Sequence, residues 1–224
     1  MNVSEAIQRR MSVRAFTEQQ VSREIIQKLL EDAAQSPSGS NLQPWHVHAL
    51  TGGALKALLS DVETKGASPA PGYAIYPEGL AEPYRTRRYQ TGEGLYATLG
   101  ISRDNKAGRM QQLFRNANFF GAPVGLFIMV DRQMGAPQWA DLGIYIQSLM
   151  LLAVDAGLDT CAQAFWAMYS DRVEEFLDTP KDQMLFCGIA LGYRDDTAQV
   201  NEYKTSRAPF GEWGQLHGFD VAAE

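Results

Sequence analysis

Apolar residues recur at helical spacing in the stretch "VSREIIQKLLEDAAQ": Val21, Ile25, Ile26, Leu29, Leu30 and Ala33 fall on one stripe. This spacing predicts a helix with one face against a core, and Ser22 stands as its N-cap. An earlier helix is predicted over "VSEAIQRR", capped by Ser4. "HVHAL" alternates and reads as a short strand, ended by Gly52-Gly53, after which "ALKALLSDV" returns to helix. Residues 107–120 look helical. "PVGLFIMV" and "LFCGIALGY" are continuous apolar runs, the pattern of strands covered on both faces. Residues 138–156 form a helix that is apolar nearly all round, which places it in a core or a large interface. "SDRVEEFL" reads as a short capped helix. Residues 66–92 hold Pro, Gly, Tyr and Arg without clear period and read as a surface excursion, a kind of segment that is often functional. From 195 the tail is polar, with Phe210, Trp213 and Phe219 as scattered anchors. There is no internal repeat and no low-complexity linker. The order predicts one α+β domain over 1–224, with a variable excursion at about 60–110.

Composition narrows this picture little. The chain has 224 residues, 45% hydrophobic and 21% charged, which is ordinary for a soluble globular protein able to bury a core unaided. A formal net charge of -6 argues against nucleic acid as the main partner, since polyanions select basic surfaces. The N-terminal stretch lacks the apolar core of a signal peptide. The longest apolar run, near 142–154, is broken by Gly143, Tyr145, Gln147 and Ser148 and falls short of a membrane span. Cys161 and Cys187 sit in apolar surroundings outside any CxxC, as buried thiols of a reducing compartment do. These features predict a cytoplasmic protein with no membrane partner.

Several common catalytic signatures are missing: GxxxxGK[ST], GxGxxG after a strand, HExxH and GxSxG. His46 and His48 point to one side of a strand, but no third ligand of suitable spacing stands nearby, so no metal is expected. What remains is basic residues beside small ones. "RRMSVRAF" sets Arg9, Arg10, Ser12 and Arg14 at a helix end, and a guanidinium offers a planar fork of donors to an oxyanion. "KTSRAPF" adds Lys204, Ser206 and Arg207. Taken alone, each cluster reads equally as solvated surface charge. Together with the polar, pliable loop "SPSGSNLQPWH" they suggest one phosphate pocket built from three distant segments.

These blocks resemble the FMN-dependent nitroreductase family. "RRMSVRAF" and "SPSGSNLQPWH" are similar to its start, "WADLGIYIQSLMLLAVDAGLDTCAQAF" to its long central helix and following turn, and "IALGYRDD" with "SRAPF" to its closing strand and phosphate-binding arginine. "RRYQTGEGLY" and "LGISR" resemble the branch that reduces nitroarenes and nitrobenzoate. The resemblance implies a mixed sheet flanked by helices in an intertwined homodimer, with two FMN at the dimer interface. Arg10, Ser12 and Arg207 would hold the phosphate and ribityl chain, and Arg14 would stand near the pyrimidine edge of the ring. Pro37, Ser38, Gly39 and Asn41 would reach the flavin of the partner subunit, with Pro44 and Trp45 fixing the loop's exit. A backbone N–H of Ala162, Gln163 or Ala164 would meet flavin N5. The chain departs from the family in that segment, where many members have Pro and Glu. It departs also at Thr205, which replaces a basic residue, and at Met11, which replaces a frequent His. Asp141 falls where some members have a ring-contacting Gln. By the same resemblance NADPH or NADH would reduce FMN, which would pass electron pairs to an electron-poor acceptor in a ping-pong cycle, with no catalytic side chain. A nitroaromatic is the first expectation. Quinone, flavin or enone reduction, dehalogenation, or flavin binding without catalysis are the alternatives. Tyr73, Tyr76, Tyr84 and Tyr89 would either stack on a flat substrate or anchor their own loop.

Overall fold

The two buried apolar runs pair with each other at the centre of the molecule. In the computed structural model, which describes residues 1–219, β2 (Val124–Asp131) runs antiparallel to β4 (Gln183–Gly192), and β1 (His46–Thr51) and β3 (Asp159–Gln163) complete a sheet of order β1-β2-β4-β3. All of these pairings are antiparallel; the parallel contact is an isolated bridge between Ser12 and Thr160. Along β2 the pleat sends Leu126, Ile128 and Val130 to one face and Phe127 and Met129 to the other. Both faces are packed, and the strand therefore reads as unbroken apolar sequence. β3 carries no such run. The sequence predicts a turn at 162–164, but the chain stays extended to Gln163 and then enters a 3₁₀ segment, Ala164–Tyr169. The reason is the open edge of buried β4, whose backbone groups need partners.

One face is covered by α1 (Val3–Arg9), α2 (Arg23–Ala33) and α6 (Ala136–Asp155). In α2 the Ser22 hydroxyl accepts from the Ile25 N–H, as predicted, and Ile26, Leu29 and Ala33 are buried. The cap of α1 is Asn2, not Ser4. Asn2 and Glu5 satisfy each other's backbone N–H groups in a capping box, so Ser4 falls inside the helix. α6 buries Leu142, Tyr145, Ile146, Leu149, Ala153 and Val154 yet leaves Ile144 42% exposed, so its apolar surface exceeds what one chain covers.

The other face carries α3 (Gly52–Lys65), α7 (Ser170–Phe176) and the 3₁₀ segments Arg115–Gly121 and Ala164–Tyr169. Fully buried Trp166 stacks on Phe119 at 4.8 Å and meets Phe127 edge-on at 5.1 Å. Gly188 makes room for it, since a Cβ there would lie 2.2 Å from Trp166 Cδ1. The helix predicted over 107–120 ends early: α5 is Lys106–Phe114, and Phe119 and Phe120 turn to φ 52° and 56°. That turn buries both rings, which a continued helix would set about 100° apart. Ser170 is the first residue of α7 and not its cap; Tyr169 precedes it without a side-chain cap bond.

The excursion is more ordered than its sequence suggests. Its second half is α4 (Tyr84–Thr98), a helix with no buried residue. A helix lying on the surface has no apolar face to leave a period in the sequence. The predicted tail anchors are not anchored: Phe210, Trp213 and Phe219 are 48%, 69% and 75% exposed. Phe210 and Trp213 pack only on each other within the aromatic set, at 5.0 Å, because the tail meets no apolar groove of its own chain. Among the described residues no helix is long and apolar enough to cross a membrane.

Candidate active site

Arg10 closes α1, its backbone N–H bonded to the Ala6 carbonyl at 2.9 Å. The chain then runs extended along the outer edge of β3, where the Val13 N–H donates to the Thr160 carbonyl at 3.0 Å. One buried residue holds this segment. The Asn201 side-chain oxygen accepts from the Arg14 N–H at 2.8 Å, and its amide donates to the carbonyls of Ala15 and Asp195, both at 2.9 Å. Asn201 is 2% exposed, and a lone asparagine in a polar stretch gave no sequence signal. Past it, residues 203–207 fold over Arg10 and Ser12 and close a cleft of about 570 Å³.

Arg9, Arg10, Arg14, Lys204 and Arg207 all line this cleft, and no carboxylate does. None of the five is ion-paired to a described residue. Arg14 donates to the Ser12 carbonyl at 3.2 Å, and Arg207 donates to the Thr205 hydroxyl at 2.7 Å and the Ser206 carbonyl at 2.9 Å. Thr205 thus orients Arg207 instead of adding charge. The side chains of Arg10 and Lys204 have no hydrogen-bond partner among the described residues. In a chain of net charge -6, cations gathered without counter-charges form a strong local anion site. Tyr203 and Gln147 complete the lining; neither was singled out in the sequence.

A second cleft, of about 620 Å³, opens from Arg14. Its floor is Cys161 and Ala162 of β3 with Asn116 and Phe120, and its roof is α4 with Arg88 and Tyr96. Because the Thr160 carbonyl faces outward to Val13, strand alternation turns the backbone of Ala162 outward too. Ala162 and Ala164 are exposed. Gln163 points its side chain inward: it is 2% exposed and donates to the Asn116 carbonyl at 2.9 Å and side-chain oxygen at 3.1 Å. Any role toward a ligand here belongs to backbone groups of this segment. Burial pushes both thiols up, that of Cys187 to about 12, so neither is a ready thiolate.

The loop "SPSGSN" lies apart from these clefts. The Gly39 N–H donates to the Asp141 carboxylate at 3.2 Å, Ser36 bonds Ser148 at 2.8 Å, and the Ser38 hydroxyl accepts from the Gln43 N–H at 2.9 Å. Ser40, Asn41 and Gln43 take φ of 49°, 57° and 50°, so the loop is bent tightly onto α6. Pro37, Ser38, Gly39 and Asn41 do not line the Arg10 cleft. Buried Asp141 serves the loop. Of Tyr73, Tyr76, Tyr84 and Tyr89, it is Tyr76 that lines the second cleft. Tyr73 anchors its loop, donating to the Phe186 carbonyl and packing on Trp139 at 5.4 Å. Tyr84 and Tyr89 are exposed on α4. No group of metal-ligating side chains occurs among the described residues, and His46 faces Asp131 at 3.2 Å.

Comparison with known proteins gives one family. The family model described as "Nitroreductase family" matches residues 7–193. The chain is 37% identical over 212 residues to 4-nitrobenzoate reductase of Pseudomonas putida, covering 94% of this chain and 93% of that protein. It superposes on the crystal structure of the FMN and NADPH-dependent nitroreductase NfnB from Sphigopyxis sp. strain HMH with a TM-score of 0.94, at 45% identity, covering 98% of this chain and 100% of that one. The FMN-dependent nitroreductase NfnB from Mycobacterium smegmatis in complex with NADPH gives a TM-score of 0.88 at 32% identity, covering 96% and 100%. The match spans the Arg10 segment, the sheet and the β3 floor of the second cleft, and on this ground the chain belongs to the nitroreductase family.

Proposed function

We propose that the protein binds FMN in the two joined clefts and uses NADPH or NADH to reduce a nitroaromatic acceptor. The observation that carries this reading is the run of five cations with no carboxylate along the first cleft. Arg10, Ser12, Lys204 and Arg207 fit a phosphate and the first ribityl oxygens. Arg14, at the junction of the clefts, fits the electron-rich edge of the ring, and the outward backbone at Ala162 and Ala164 fits a donor to the ring's other side. Bound FMN would supply hydride acceptance and two-electron delivery. The chain's own residues bind, orient and shape the acceptor space. No side chain is required to transfer a proton or form a bond to substrate.

The working unit is a homodimer. The loop Pro37 to Asn41 is ordered and polar yet lines neither cleft of its own chain, so a second copy gives it a flavin to meet. Ile144, Phe210, Trp213 and Leu216 are exposed, and the outer edge of β1 with α2 leaves an apolar groove of about 510 Å³. Two buried, free thiols support a cytoplasmic setting.

The test is direct. The purified protein is expected to be yellow, to release FMN on acid treatment, and to bleach on anaerobic mixing with NADPH. Re-oxidation by a nitroarene at a catalytic rate completes the cycle. FAD in the extract, or no flavin after reconstitution, overturns the cofactor; re-oxidation by quinones or enones but not nitroarenes overturns the acceptor.

A further inference from the structure

The roof of the second cleft holds a cation that the fold leaves unneutralised. Of the three arginines in α4, Arg85 pairs with Glu82 at 2.7 Å and Arg87 with Glu212 at 2.7 Å. On α5, Arg109 pairs with Glu93 through two bonds, at 2.5 and 2.9 Å. Arg88 has no carboxylate among the described residues. Its guanidinium lies 3.9 Å from the centre of the Tyr76 ring, a stacked position that limits its motion while leaving its in-plane N–H donors free. Arg88 and Tyr76 both line the second cleft, together with the aromatic faces of Tyr96 and Phe120.

An independent observation shows what occupant this cleft lacks. Gln112 lines it too, is only 8% exposed, and its amide nitrogen has no acceptor among the described residues. A buried donor without an acceptor costs stability, and an oxygen-bearing occupant would relieve it. The cleft therefore offers flat apolar walls, one waiting amide donor and, besides Arg14 at its junction with the first cleft, the unpaired guanidinium of Arg88 at the rim.

We propose that Arg88, held on Tyr76, is a specificity-determining residue that selects acceptors whose aromatic ring carries an anionic group, an aromatic carboxylic acid being the fitting class. This deepens the proposed reaction and rests on it in one respect, that the second cleft holds the flavin ring with the acceptor over it. A phosphate on the reductant has the same charge and would be the rival source of the anion.

Calorimetric titration with non-reducible ligands tests the proposal without turnover. Benzoate, benzamide, NADP⁺ and NAD⁺ are titrated into the purified holoprotein and into its Arg88→Gln and Arg88→Lys variants. Arg88→Gln is expected to weaken benzoate by about fivefold to tenfold, the scale of one lost charge-assisted contact near a surface, and to leave benzamide unchanged. Arg88→Lys should recover part of the benzoate affinity. The proposal fails if Arg88→Gln spares benzoate, if it weakens benzamide equally, or if the loss falls on NADP⁺ relative to NAD⁺ while benzoate is spared. Nitroarene turnover in the wild type is read separately. Its absence with the benzoate preference intact refutes the reaction and not the selector; turnover without the preference refutes the selector alone.

Discussion

Arg10 ends α1 with its backbone N–H bonded to Ala6 and its guanidinium without a hydrogen-bond partner among the described residues. A cation held in that way keeps its full field for a ligand. Arg10→Ala is expected to weaken FMN tenfold or more, since a hydrogen bond to a charged group is worth about 1.5–3 kcal/mol. Fluorescence titration of the apoprotein reads this, and excess FMN should restore most of the rate; a rate that stays low at full occupancy would show that Arg10 is not a phosphate ligand. Arg14 differs in kind. Among the described residues its guanidinium has no carboxylate partner and donates to the Ser12 carbonyl alone, so it does not serve there as one half of a surface ion pair. Two-electron reduction places negative charge on the flavin edge that Arg14 would face, and binding that differs between redox states shifts their balance. Arg14→Gln should keep most of the FMN and lower its midpoint potential, by some 30 mV for each ~1.4 kcal/mol lost. A redox titration that finds the potential unmoved in the flavin-loaded variant would remove Arg14 from the ring.

At the scale of elements, two residues fix how the parts meet. Asn201 ties the Arg14 strand to the turn after β4 through three hydrogen bonds. Asn201→Ala removes three hydrogen bonds and leaves the Arg14 N–H and the Asp195 carbonyl without these partners, while the Ala15 carbonyl keeps the Asp195 N–H, a loss of roughly 2–4 kcal/mol at the usual value per bond. Urea unfolding should show it, along with weaker FMN binding, because Arg14 and the Arg10 cleft lose their backing together. Gly188 sits under Trp166 with no space for a methyl group. Gly188→Ala should therefore cost about 1–3 kcal/mol through overpacking, with FMN affinity per folded molecule retained. Unchanged stability in that variant would mean Trp166 moves freely, against its complete burial among Phe119, Phe127 and Tyr169.

For the molecule as a whole, the exposed tail aromatics, the apolar residue on the outer side of α6 and the stranded loop at 37–41 have one explanation in common. The proposed second copy would cover them. Light scattering at the lowest workable concentration is expected to give a dimer, since interfaces that resemble a core cut in half do not dissociate readily. An active, flavin-loaded monomer would contradict it.

Local pattern alone determined the elements whose burial is regular. The stripe of α2 with its Ser22 cap, the apolar runs of β2 and β4, and the long apolar α6 all follow from side chains repeating at the period of the backbone that carries them. The basic and small residues at 9–14 and 204–207 suggested a phosphate pocket without a structure, because an unusual density of arginine beside serine is visible in one dimension, and the structure lines one cleft with them. Tertiary structure decided the rest. α4 was hidden because a helix that buries nothing leaves no period, and β3 because its strand form answers the open edge of β4 rather than its own residues. Asn2, Asn201 and Gln112 matter only through what folds against them. That the loop at 37–41 lines neither cleft of its own chain is likewise a fact of three dimensions: sequence shows which residues can bind a phosphate, but which of them meet is set by the packing of the helices and sheet that carry them.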